Sequence, residues 1–117
     1  MKIVRSDELV QYNPKGHYDM LARRAHSAEV SGSKLLTIGL SEFNPGGGAE
    51  DSTVPAGMEL VYYIVEGEME LTTPEGVTIL KAGDSALFQE GNTRAVKNIT
   101  DNISKMLVIA AKLPEKE

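Results

Sequence analysis

The side chains able to do chemistry are few. The 117-residue chain has no cysteine and two histidines, His17 and His26. Thiolate metal sites, disulfides and a cysteine nucleophile are therefore excluded. No G-x-S-x-G elbow occurs, and two isolated histidines do not make a hydrolytic triad. Neither histidine falls in a spacing that reads as a metal signature. His26 lies in Arg23-Arg24-Ala25-His26-Ser27, a strand-like stretch that can carry a titratable group toward a site. His17, beside Pro14 and Gly16, reads as solvent-facing. The acids of interest are Glu50 and Asp51, in a glycine-rich stretch, and Glu59 at the head of an apolar run. Arg94 adds a permanently charged fork of hydrogen-bond donors suited to carboxylate, phosphate or phenolate.

Apolar residues fall in short runs punctuated by glycine, proline and asparagine, so these groups must be positioned by strands and tight turns. Expected strands are Leu21 to Val30, Lys34 to Phe43, Glu59 to Glu66, Glu68 to Thr73, Val77 to Lys81, Ser85 to Gln89, Arg94 to Ile99 and Ser104 to Lys112. Ser31-Gly32-Ser33, Pro74-Glu75-Gly76, Ala82-Gly83-Asp84 and Glu90-Gly91-Asn92-Thr93 supply turn chemistry between them. Ser6 to Gln11 can form one helical turn, with Ser6 as its cap and Leu9 and Val10 facing inward. Asn44 to Met58, opening Asn44-Pro45-Gly46-Gly47-Gly48, reads as the longest irregular stretch, either lining a site or linking two strands.

Length and composition bound the rest. The chain has the size of one domain, with 41% hydrophobic and 25% charged residues. A net charge of −5, without a basic run beyond Arg23-Arg24, gives no footprint for nucleic acid or an anionic membrane. The charged start Met1-Lys2-Ile3-Val4-Arg5 and the lack of a long apolar run lead to the expectation of a cytoplasmic protein.

Two spacings carry a family resemblance. In Tyr62-Tyr63-Ile64-Val65-Glu66-Gly67-Glu68, Gly67 matches the glycine that closes the first cupin motif. Counting back places the family's glutamate at Leu60 and its two histidines at Thr53 and Pro55, or at Val54 and Ala56. The second motif falls without a gap on Gly83, Gln89, Gly91, Arg94 and Asn98. Glutamine there replaces proline, and Arg94 replaces the last histidine ligand. The chain thus resembles the cupins from about Lys34 to Lys112. That implies an all-β double-stranded β-helix, or jelly-roll, barrel over 34–113, with 1–33 as an N-terminal segment packing on it.

The resemblance implies a barrel whose usual metal ligands are gone, and no metal or other cofactor is expected. Arg94, if it keeps the inward direction of its counterpart, needs an anionic partner, either Glu50 or Asp51 or an external ligand. Leu60, Tyr62 and Ile64 share the inward face, and Glu59, Val61, Tyr63 and Val65 the other, unless a bulge turns Glu59. Because both faces are apolar, a second subunit or the N-terminal segment is expected over the outer one. Tyr62, Phe88, Met69 and Met106 fit either a cavity lining or a packed core.

The leading expectation is a homodimer that binds a small, anionic organic molecule through Arg94, with Glu50, Asp51, His26, Leu60, Tyr62 and Phe88 around it. The alternatives are a metal-independent isomerase or lyase, with His26 or Glu50 moving a proton, and a metalloenzyme with Glu50, Asp51, Glu59 and His26 as a non-standard site.

Overall fold

The computed structural model describes residues 1–113. After a 3-10 turn at Ser6–Glu8, nine strands and one short helix follow. They are β1 (Val10–Tyr12), β2 (His17–His26), α1 (Ala28–Ser31), β3 (Leu36–Thr53), β4 (Met58–Glu66), β5 (Glu68–Thr73), β6 (Gly76–Lys81), β7 (Ser85–Gln89), β8 (Thr93–Lys97) and β9 (Ser104–Lys112). Every pairing is antiparallel, and the ladder runs β6-β5-β8-β3-β9-β4-β7, with β2 on the other side of β3 and β1 beyond it. The all-β jelly-roll barrel expected from the sequence is the fold observed.

The closed shape follows from β3. Its first half pairs with β9 and its second half with β8, so one strand belongs to both leaves of the barrel. The bend between them is Asn44-Pro45-Gly46-Gly47, clamped by Gly46 N–H to the Asn98 carbonyl at 2.9 Å and by Asn98 N–H to the Gly47 carbonyl at 2.8 Å. A Cβ on Gly47 would collide with the carbonyl oxygen of Asp19, so only glycine lets β2 and β3 round the corner together. The expected irregular loop from Asn44 to Met58 is therefore mostly strand: glycine here serves close approach between backbones, and the loop shrinks to the residues between Thr53 and Met58.

The N-terminal segment differs in the same way. The strand expected over Leu21 to Val30 begins earlier, at His17, and gives way after His26 to α1, whose first turn is capped by Ser27 Oγ accepting from Val30 N–H at 3.1 Å. The first turn is capped at Arg5 rather than Ser6, its N–H donating to Glu8 Oε1 at 2.7 Å, and Val10, opposite Arg24 on β1, is exposed rather than buried. Residues 1–33 contribute β1 and β2 to the sheet itself.

Alternation sorts the strands into an inner and an outer face. Phe43, Ile64, Met69 and Met106 are sealed inside, packed with Leu60, Tyr62, Leu71, Leu80, Phe88 and Val96. Met69 and Met106 are thus core. No helix among the described residues is long and apolar enough to cross a membrane.

Candidate functional site

Arg94, the second residue of β8, stands opposite Ser52 of β3, and directly paired residues share a face. Two residues on, Val96 is buried in the core, so Arg94 lies on the same inner face one step nearer the barrel's mouth. Its Nε donates to Tyr62 Oη at 3.1 Å and its Nη1 to the Ser52 carbonyl at 2.9 Å. The guanidinium carbon lies 5.6 Å from the Tyr62 ring centre and 5.8 Å from that of Phe88. The two rings meet edge to face at 5.1 Å. These contacts hold a cation over aromatic faces and leave Nη2 and the remaining Nη1 proton for a further acceptor.

Leu60 sits beside this group, in the inner row Ala110–Leu60–Phe88 across β9, β4 and β7. The turns between β5 and β6 and between β7 and β8 adjoin this group through Phe88 and Thr93. Thr73, Pro74, Glu75, Leu87, Phe88, Gly91, Asn92 and Thr93 line a cleft of about 410 Å³ there. The β7–β8 turn is tied to the segment after β3 by Val54 N–H to the Asn92 carbonyl and Gly91 N–H to the Val54 carbonyl, both at 2.9 Å. Of the site residues anticipated from sequence, Arg94, Leu60, Tyr62 and Phe88 therefore come together.

Glu50 and Asp51 do not join them. Both are exposed and line a separate groove of about 370 Å³ with Tyr18, Glu70, Thr72 and Lys97. The register shift between Ala49 and Ser52 carries the two acids out of the ladder, so the loop they were expected to occupy is a bulged strand edge. Among the described residues no carboxylate lies within salt-bridge distance of Arg94.

His26 is also elsewhere. It stands opposite Ile38, which belongs to the outer face, and its Nδ1 is 3.0 Å from Ser31 Oγ at the end of α1. A bulge between Arg24 and His26 sets this direction. The strand does not carry this titratable group toward Arg94, and the His26 proton carrier of the isomerase or lyase reading is on the other side of the sheet. Glu59 faces outward as expected from alternation and accepts from Gln89 Nε2 at 3.2 Å.

Two features escaped the sequence. The first is Ser52, whose pairing with Arg94 puts it on the inner alternation of β3 together with Val54, which favours the Val54 and Ala56 placement over Thr53 and Pro55. The second is Arg24, stacked on Tyr12 with its guanidinium carbon 4.2 Å from the ring centre. Both depend on strand register, which short runs of mixed residues do not fix.

The site does not fit the divalent metal that barrels of this shape commonly hold. Guanidinium offers no lone pair, and Leu60 offers hydrocarbon. Nor do Glu50, Asp51, Glu59 and His26 assemble a substitute, since no three His, Cys, Asp or Glu side chains among the described residues cluster at metal-binding range.

The barrel and its glycine corners are those of a known class, and this chain belongs to the cupin family, matching the Cupin domain over residues 39–110. It is 31% identical over 111 residues to a Mycobacterium tuberculosis protein named beta-D-galactosidase Rv1717, the match covering 95% of this chain and 94% of that one. Among solved structures it is similar to a predicted oxalate decarboxylase from Thermotoga maritima, with a TM-score of 0.82 at 22% identity over 96% of this chain and 100% of that one. A cupin-superfamily sugar phosphate isomerase from Silicibacter pomeroyi gives 0.77 at 19% identity, covering 95% and 76%. These two likenesses speak to the fold.

Proposed function

We propose that this barrel binds a small anionic organic molecule at its mouth, with Arg94 as the anchor and Tyr62 and Phe88 as the apolar wall, and that it does so as a homodimer. The observation that carries the reading is a half-buried guanidinium held on two aromatic rings with no carboxylate of the described residues beside it. A charge withdrawn from water without a counter-charge is costly, and a bound carboxylate or phosphate would offset that cost through paired N–H donors. Thermal-shift and calorimetric screening of small carboxylates and phosphates tests it. Arg94→Ala is expected to weaken a ligand found this way by about tenfold or more. Unchanged affinity in that variant would remove Arg94 from the site.

A second reading is favoured by the relative named as a galactosidase. Hydrolysis of a glycoside requires a pair of carboxyl groups flanking one bond. The groove holding Glu50, Asp51 and Glu70 beside Tyr18 is where this chain carries several acids together. Release of nitrophenol from a chromogenic β-galactoside, lost in Glu50→Gln, Asp51→Asn or Glu70→Gln, is the expected outcome on this reading. A turnover by the intact chain no faster than buffer alone excludes it.

A further inference from the structure

The ladder registers place a second arginine on the inner face. Arg24 pairs with Gly39, Gly39 with Val108, Val108 with Tyr62 and Tyr62 with Ala86. Residues directly opposite one another in consecutive strands share a face, so Arg24 and Tyr62 belong to one inner row across β2, β3, β9, β4 and β7. Arg94 is hydrogen-bonded to that same Tyr62. Three strand spacings separate Arg24 from Tyr62, about 14 Å between their backbones.

The positions between are small or short. Gly39 has no side chain, Val108 follows, and the neighbouring inner rows contribute Ser41 and Ala110. Tyr12 lies over the Gly39 end, its Oη 3.4 Å from where a Cβ on Gly39 would stand. Arg24 stacks on the Tyr12 ring as Arg94 stacks on Tyr62. The two ends of the row thus carry the same device, a guanidinium laid on a tyrosine.

Arg24 Nε is buried and has no hydrogen-bond partner. Among the described residues no carboxylate lies within salt-bridge distance of Arg24, whereas its neighbour Arg23, on the outer face, pairs with Glu42 at 3.5 Å. A buried donor left unpaired costs stability, and two cations on one inner face with no paired acid among the described residues add repulsion. A ligand with one anionic group relieves only half of this.

The geometry points to Arg24 as a second anion anchor, so that the ligand is a dianion, of dicarboxylate type, running from Arg24 past the Tyr12 hydroxyl that covers Gly39 and over Val108 to Arg94. This inference rests on the reading of Arg94 as an anchor and extends it to the substrate class.

Glutarate and butyrate, of similar size and differing by one carboxylate, are the probes, measured by calorimetry on the full chain. The unaltered protein is expected to prefer glutarate by about tenfold or more. Arg24→Gln should reduce that preference to near one, and Arg24→Lys should restore part of it. Because either variant could lose the fold, the arginine Nε–H resonances of the unaltered chain provide a second readout. Glutarate should shift the Arg24 signal and that of Arg94, butyrate that of Arg94 alone. Equal affinity for the two acids, with the Arg24 signal unmoved, would overturn the second anchor and leave the first standing. Failure of both acids to bind and to move the Arg94 signal overturns both.

Discussion

At Asn98 the side-chain amide donates to the Phe43 carbonyl at 2.9 Å and to the Asn102 carbonyl at 2.7 Å, while its oxygen accepts from Thr100 N–H at 2.9 Å and Thr100 Oγ1 at 2.8 Å. The residue is wholly buried, and four residues earlier on the same run stands Arg94. Both occupy positions of one motif, yet their contacts separate: Asn98 ties the β3 corner to the segment before β9, whereas Arg94 reaches Tyr62 and the Ser52 carbonyl on the inner face. Asn98→Ala leaves the Phe43 and Asn102 carbonyls without that donor, and a loss of about 3 kcal/mol in urea denaturation is expected. A loss below about 0.5 kcal/mol, within the range of surface substitutions, would remove the structural role. Arg94 was legible from its place in the motif and Tyr62 and Phe88 from alternation. The absence of an acid beside Arg94 was not, because nothing local to Glu50 and Asp51 announces that a bulge turns them away.

Among the elements, strands bounded by turn residues were read nearly end to end. Glu68 to Thr73, Ser85 to Gln89 and Ser104 to Lys112 coincide with β5, β7 and β9. Hairpins announce themselves because the turn needs special backbone angles that few residues accept. β3 and β2 were misjudged for one shared reason. A proline and three glycines normally end a strand, but here they let two paired strands bend through a break in register, with 44–47 unpaired between Phe43 and Gly48, helped by Asp19 at a positive φ of 48°. Register across such a corner is set by contacts between distant parts of the chain, such as those of Asn98 with Gly46 and Gly47. Near the other end of β2, the bulge after Arg24 sends His26 outward, away from the face expected of it, and leaves Arg24 inside.

For the molecule as a whole, the outer face of the β2-β3-β9-β4-β7 leaf is organised in rows. Ile38–Ile109–Val61–Leu87 and Leu40–Leu107–Tyr63 lie side by side, with Tyr63 and Leu87 exposed. Charged rows bracket them. On one side Glu42 contacts Arg23 and Lys105, and Lys105 also contacts Glu66, at 3.5 to 3.8 Å; on the other are Glu59 and Gln89. An apolar centre with a polar rim is the anatomy of a protein interface, and a two-fold pairing would set each such patch against its own copy. Arg23 Nε, buried and without a partner, is a donor the second copy can satisfy, and the alternating signs of the rim suit a self-complementary contact. Light scattering is therefore expected to give twice the chain mass, and Ile109→Asp, which puts a charge at the centre of the patch, should return a monomer that stays folded by circular dichroism. A monomeric mass across a wide concentration series would refute the dimer while leaving the inner face untouched. Glutarate binding that persists in monomeric Ile109→Asp would further establish that each barrel carries a complete site, since Arg24, Tyr62 and Arg94 all come from one chain.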